Sequence, residues 1–526
     1  MELAATGTHW AIASPHDLAT QAGAAAFERG GNAIDAALAA ATALAVCYPH
    51  ACGVGGDLFA LVQRPSGEVV AINASGRAPM GTDLDAAREA GNGKMPRKGP
   101  LTVTVPGAVS GWEALYDQGA TLPWKGAFSQ AIAFAHDGVA VSRSLGGMLS
   151  RDDGAKAADP GLGAIFFPGG GALAIGEPFR QPALGETLQA IASLGARALY
   201  EGEVGRRYVE GLAAVGCPMT LQDLQAHRAD LLSPLRGRYR DLDVLVVPPN
   251  SQGFVLLEVL AVVERLKIDP DPFGPDAAAL ALALRAGATD RDLHLSDADR
   301  MRVHPSTLLE DGHIAALCDD VRRGVVDAAP SPGPRGGRDT VALVAADSQG
   351  HAVSLIQSLY EGFGSGILEP GTGMVAQNRG ACFSLEPGHP NELAPGVRPA
   401  HTLMPMLAQR EGRPFIVAGT MGGHAQPQIN TMTFIRAFDL GLSPADAVAA
   451  PRWLSAGMEP EEAEPSVLAE AGVPPATLEM LSRGGFRVEV SGAEDGAAGH
   501  AHMIRITDEG FEAGSDPRAD GSALAS

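Results

Sequence analysis

Pro330-Ser331-Pro332-Gly333-Pro334-Arg335-Gly336-Gly337-Arg338-Asp339-Thr340-Val341-Ala342-Leu343-Val344-Ala345-Ala346-Asp347 changes character at one bond. A proline- and glycine-rich run ends at Asp339, and an apolar strand opens at Thr340. Ser348-Gln349-Gly350 then makes a turn, and residues 351–356 return beside the strand as a hairpin. A hydroxyl residue at the head of a strand, behind a loop, suits a specific chemistry. Cutting the Asp339–Thr340 bond would leave the new amine beside the threonine hydroxyl, so that one residue carries both base and nucleophile. Thr340 equally fits an ordinary β-branched residue that opens a strand after a surface loop.

Outward from this bond, the 526-residue chain is 45% hydrophobic and 19% charged, enough for a large buried core. Its net charge of −22, from 61 acidic and 39 basic residues without a clustered basic tract, argues against nucleic acid or an anionic membrane as partner. Cys47, Cys52, Cys217, Cys318 and Cys382 are few and scattered, with no metal-ligand spacing, which fits reduced thiols in a cytoplasmic protein. Residues 1–10 lack the basic and apolar regions of a secretory signal. The alanine-rich run 36–47 is shorter than the about 20 apolar residues that span a bilayer, so it reads as a buried helix.

The N-terminal third predicts a helix over 16–29, a break at Gly30-Gly31 and a second helix opened by Asn32. Strands follow at 58–63 and 69–73. Cys52-Gly53-Val54-Gly55-Gly56-Asp57 lacks the lysine and hydroxyl of a phosphate-binding loop and precedes a strand. Residues 105–217 alternate alanine-rich helices with Gly/Pro turns, and 280–286 is helical. Beyond Thr340 the pattern predicts strands at 356–364, 373–377, 404–409 and 414–419, a helix at 428–440 and a short mixed tail. Elements segregated in blocks predict an α+β fold, with antiparallel sheets and helices packed outside.

These residues also carry a resemblance. The Thr340 hairpin, Phe363-Gly364-Ser365-Gly366-Ile367, Gln377-Asn378-Arg379-Gly380, Met421-Gly422-Gly423, Ala450-Pro451-Arg452 and Ser515-Asp516-Pro517-Arg518 resemble the small subunit of the gamma-glutamyltransferase family. Gly30 to Ala37, Gly53 to Gly56 and Val105-Pro106-Gly107 resemble its large subunit, in the expected order. The resemblance implies an N-terminal nucleophile hydrolase with a four-layer αββα sandwich. It further implies autocatalytic cleavage into residues 1–339 and 340–526, which stay together as one composite domain, a heterodimer able to pair into a dimer of heterodimers. By the same resemblance Thr340 is the nucleophile, Ser358 its hydroxyl partner, and Gly422 and Gly423 supply the oxyanion hole.

Departures from the family pattern bear on the substrate. Ser75 stands where the family places an arginine for an α-carboxylate, with Arg77 two residues later, either a substitute anchor or a surface side chain. Tyr360, Arg379 and Cys382 occupy the positions that would grip an α-ammonium, and His401-Thr402 replaces a serine pair. A pocket that loses acceptors for an ammonium and gains donors in Arg379 and His401 suits an acyl group with a carboxylate and no α-amine. The Gln377-Asn378-Arg379-Gly380 motif resembles the branch that includes oxamate amidohydrolase. Dicarboxylic monoamides and glutaryl side chains stay open, as does a gamma-glutamyl hydrolase or transferase using Arg77 and other, unassigned residues. The loop 387–397, shorter than the lid of many glutathione-cleaving members, favours hydrolysis over transfer. An uncleaved binding protein is disfavoured because Thr340, Ser358, Gly422 and Gly423 are all present. No metal or organic cofactor is expected, since His500 and His502 are the only close histidine pair and lack a third ligand nearby in sequence.

Overall fold

The computed structural model describes residues 2–151, 154–324, 339–455 and 466–526; the proline- and glycine-rich run expected as a loop before Asp339 lies outside them. Two seven-stranded sheets dominate. The first runs in the order Ser522–Ala525, Trp10–Ser14, Asp339–Asp347, Ala352–Tyr360, Asp57–Gln63, Val69–Ala74, Asp230–Leu232. The second runs Ala4–Gly7, Gly510–Ser515, His500–Thr507, Arg413–Met421, Met406–Arg410, Leu242–Val246, Leu235–Tyr239. Every neighbouring pair in both is antiparallel.

Side-chain alternation explains the layering. On Asp339–Asp347, Ala342, Val344 and Ala346 enter the apolar layer between the sheets with Phe59, Ile356, Leu407 and Val417. Val341, Leu343 and Ala345 point the other way, into the helices that cover the first sheet. A strand buried on both faces reads as a continuous apolar run, the pattern seen in its sequence. A third apolar layer, with Phe254, Leu256, Leu280 and Phe434, lies between the second sheet and its own helices. The order helix, sheet, sheet, helix is the expected four-layer αββα sandwich of α+β class.

Small residues let these layers close up. The helix Ala33–Cys47 is buried along its whole length, its alanines packing on the first sheet. It starts with a capping box between Asn32 and Asp35, and Asp347 at the end of the central strand accepts the Ala33 amide at 2.8 Å. A Cβ on Gly56 would meet the Ser358 carbonyl oxygen at 2.4 Å, so the glycine cluster serves close strand packing. Ala450-Pro451-Arg452 and Ser515-Asp516-Pro517-Arg518 meet in a buried ion network, where Asp516 receives Arg452 and Arg518, and Arg518 also reaches Glu470. Burial alone would raise the Asp516 carboxyl, but the two guanidiniums hold it at about 2.

Most expected elements are present, with shifted ends. The helices run Asp17–Glu28 and Ala33–Cys47, and the helix expected at 428–440 spans Gln426–Phe438. The separate strand expected at 356–364 is corrected: one strand, Ala352–Tyr360, completes the hairpin and stops where Tyr360 and Phe363 take positive φ. The tail is more than a short appendage, since His500–Thr507 and Gly510–Ser515 build the second sheet and Ser522–Ala525 the edge of the first. Among the described residues, no helix is long and apolar enough to cross a membrane.

Candidate active site

Thr340 pairs directly with Ser358 across the central hairpin, and Ser358 pairs with Asp57 on its other side. Thr340 shares the parity of Ala342 and Val344, which puts its side chain in the layer between the sheets, where it is 1% exposed. Its Oγ1 lies 2.9 Å from Ser358 Oγ. Ser358 Oγ also donates to the Asp339 carbonyl at 3.1 Å and accepts the Tyr360 amide at 2.8 Å. One hydroxyl thus touches the threonine oxygen and the carbonyl of the Asp339–Thr340 bond.

The strand Arg413–Met421 crosses over this pair from the second sheet. A Cβ on Gly419 would approach Ala342 Cβ to 3.2 Å, and Ser354 Oγ donates to the Ala418 carbonyl at 2.7 Å. Close approach through small residues packs this strand on the central hairpin at Ala342, Ser354 and Ile356, and Gly422-Gly423 follow its last residue, Met421. Gly423 has φ +55, in the left-handed region that glycine adopts without penalty. Neither glycine amide donates a backbone hydrogen bond among the described residues. Gln252 fixes the turn by donating to the carbonyls of Gly423 at 2.9 Å and Thr402 at 2.7 Å.

Arg379 is fully buried, its guanidinium stacked 4.2 Å from the centre of the Tyr360 ring. One terminal nitrogen donates to Thr402 Oγ1 at 3.1 Å and toward Cys382 Sγ at 3.7 Å. Its Nε and other terminal nitrogen have no hydrogen-bond partner. A buried guanidinium that has no carboxylate partner among the described residues, and two unsatisfied nitrogens, has the capacity to donate to an anion.

His401 and Arg77 differ from the expected roles. His401 Nε2 contacts Asp57 Oδ2 at 3.0 Å, and its Nδ1 accepts the Leu403 amide at 3.3 Å, so neither ring nitrogen is left for a ligand. Burial, then the nearby Arg379 charge, lower its pKa to about 3 despite Asp57, so the ring is neutral. Arg77 donates to Asp297 and to the Gly396 carbonyl, both at 3.1 Å, with its side chain 41% exposed; the surface reading is the one the structure gives. Ser75 is occupied by Asn73 and Asn250.

Asp57 and His424 escaped the sequence reading. Asp57 accepts from His401, from the Gly76 amide and from Gln377 Nε2, tying four segments beside Ser358. Its signal was the end of a glycine run, too common to stand out. His424, next to the glycine pair, leaves both ring nitrogens unpartnered; burial, Arg291 and Arg379 push its pKa well down. A small cleft of about 50 Å³ is lined by Cys382, Thr402, His401, His424, Arg291 and Asn391. Thr340 and Arg379 do not line it; it adjoins Arg379 through Thr402 and Cys382, which contact that guanidinium. Asn391 supplies a wall from the loop 387–397 and donates to the Cys382 carbonyl at 2.7 Å.

Known proteins resemble this chain along most of its length. A family model described as gamma-glutamyltranspeptidase matches residues 19–526. The chain is 38% identical to the oxamate amidohydrolase proenzyme of Klebsiella pneumoniae over 525 residues, covering 98% of each chain. It is 36% identical to the glutathione hydrolase-like YwrD proenzyme of Bacillus subtilis over 529 residues, covering 100% of each. The crystal structure of cephalosporin acylase from Bacillus halodurans superimposes with a TM-score of 0.89 at 32% identity, covering 100% of this chain and 97% of that one.

Proposed function

Because the chain belongs to the gamma-glutamyltranspeptidase family, we propose that it is a self-processing amidohydrolase that hydrolyses a small carboxylated, oxamate-like amide through an acyl ester on Thr340. The observation that carries this reading is the pairing of the Thr340 and Ser358 hydroxyls at 2.9 Å with a buried Arg379 whose free donors await an anion.

Processing begins when Thr340 Oγ1 attacks the Asp339 carbonyl carbon. The C–O bond forms, the Asp339–Thr340 C–N bond breaks, and the threonine nitrogen takes the hydroxyl proton. Water opens the resulting ester, leaving residues 1–339 with a new carboxylate and residues 340–526 with a free α-amine. That amine, with an ordinary pKa of about 7.7 to 8.0, accepts the Oγ1 proton in turnover near neutral pH. Oγ1 then attacks the substrate amide carbon, and the oxyanion is received by the Gly422 and Gly423 amides. The C–N bond breaks as the proton passes to the leaving nitrogen. Water hydrolyses the ester and restores Thr340.

Arg379 selects the acyl group. Its free donors suit a carboxylate, while Tyr360, Cys382 and Thr402 around it offer no carboxylate acceptor for an α-ammonium. The gamma-glutamyl alternative counted on Arg77 together with residues left unassigned, and Arg77 is paired with Asp297. No metal or organic cofactor enters this reaction.

Mass spectrometry and N-terminal sequencing of the wild type beside Thr340→Ala test the proposal. Expected are two wild-type fragments, one starting at Thr340, an uncut variant, and wild-type release of ammonia from oxamate without hydrolysis of gamma-glutamyl amides. An uncut wild type, or vigorous glutathione hydrolysis, sinks it.

A further inference from the structure

Away from this site, three helices of the outer layer on the second sheet bring Glu258, Asp290 and His313 together. Glu258 lies mid-helix in Phe254–Leu266, Asp290 near the end of Ala277–His294, and His313 in the first turn of Asp311–Arg323. One ligand atom from each lies within 4.8 Å of the other two. Sequence spacing could not reveal the group, because its members are far apart in the chain.

Glu258 is the informative member. It is fully buried, with Val255, Leu257, Val259 and Val262 of its own helix buried as well, and among the described residues no donor satisfies its carboxylate oxygens, its polar neighbour being the second acid, Asp290. An isolated buried carboxylate costs several kcal/mol, so something must neutralise it. Among the described residues, the ion-pair contacts of Glu258 and Asp290 involve only His313, whose Nε2 is 3.8 Å from Glu258 Oε1 and in contact with Asp290 Oδ2. The neighbouring cations are engaged elsewhere: Arg291 with Asp292 and the His424 carbonyl, Arg265 with Asp311.

We propose that Glu258, Asp290 and His313 form a binding site for a divalent transition-metal ion of the zinc type. Two carboxylates and a neutral imidazole balance a double positive charge. Zinc binds oxygen at about 2.0–2.2 Å and nitrogen at about 2.0–2.1 Å, which places tetrahedral ligands about 3.3 Å apart, so the group needs only small rotamer adjustments to close on an ion. The His313 side chain is 25% exposed, leaving a route for the ion and a fourth position for water. Imidazole nitrogen in the set favours zinc over manganese and magnesium.

The test is calorimetric titration of the chelator-stripped full chain with zinc chloride, then manganese and magnesium chloride, with thermal melts in parallel. Expected is one zinc per chain, a rise in melting temperature on binding, weaker manganese and magnesium, and at least a tenfold loss of affinity in Glu258→Gln and in His313→Ala. His313 is partly exposed, so His313→Ala decides the matter where Glu258→Gln fails to fold. Absence of zinc binding in the wild type overturns the proposal and leaves a shared proton as the neutralising partner. Binding unchanged in His313→Ala also overturns it, by assigning the ion to an adventitious surface site.

Discussion

Replacing Arg379 with methionine should make the protein more stable and less active at once. The guanidinium is completely buried, holds one hydroxyl and one thiol, and has no carboxylate partner among the described residues. Exchange of buried charged groups for apolar residues of similar volume is neutral to stabilising by about 1–4 kcal/mol. Methionine keeps much of the stem volume and a sulfur to lie on the Tyr360 ring, now 4.2 Å from the guanidinium, so little packing is lost. In the complex the balance reverses, because the substrate carboxylate would be left without its partner. Truncating one member of a buried hydrogen-bonded charge pair costs about 2–5 kcal/mol, a drop in kcat/KM of about 30- to 5,000-fold for a carboxylated amide. An amide whose acyl group is uncharged should lose far less. Urea unfolding gives the first quantity, and ammonia release from the two amides the second. Loss of stability by more than about 1 kcal/mol, with an equal fall on both amides, would refute the reasoning and make Arg379 a structural residue.

Ser358→Ala removes the hydroxyl that touches both Thr340 and the Asp339 carbonyl; appearance of the fragment starting at Thr340, followed by mass, should slow about 10- to 100-fold, the worth of one strong hydrogen bond. Unchanged processing would remove Ser358 from the mechanism. Gly423→Ala forces a side chain into φ +55 at about 1–2 kcal/mol, so a calorimetric melt should fall slightly while turnover drops about 10²- to 10³-fold through the displaced amide. Equal turnover would show that this amide receives no oxyanion. Acid should destabilise the fold well before the carboxylates titrate. Burial first of all lowers His50, His401 and His502 to about 3 and His227 and His500 to about 4, from 6.5 in the unfolded chain. Protons taken up only by the unfolded state below pH 6.5 weaken folding by about 2 kcal/mol per histidine at pH 5, so stability is full above pH 6.5 and lost as pH falls. Urea midpoints equal at pH 7.5 and 5.0 would contradict this.

The strand that opens beside Thr340 and the capping residue Asn32 were readable because each is a local pattern with a local cause. Arg379 drew notice in the sequence because its neighbours lost their acceptors together, and the structure adds its burial and its two unsatisfied nitrogens. His401 misled: its donor capacity was real, but Asp57, 344 residues away, absorbs it. Arg77 was undecidable for the same reason, its partner Asp297 lying 220 residues off. The tail strands were undervalued because edge and central strands look alike until their partners are known. Gly422-Gly423 stood out only through the family resemblance, since a glycine pair by itself is too common to mark a site.

The order of strands in the first sheet also sets a timetable for synthesis. Trp10–Ser14 lies between Asp339–Asp347 and Ser522–Ala525, and the Ser526 carbonyl closes on the amides of Thr8 and His9. On a ribosome adding about 5–20 residues per second, that early strand waits roughly 15–65 s for its first neighbour and roughly 25–100 s for its second. Through that interval its apolar residues have no sheet to join. A nascent chain of this fold therefore needs a chaperone, or provisional cover from the alanine-rich helices made just after the strand, until its final residues leave the exit tunnel.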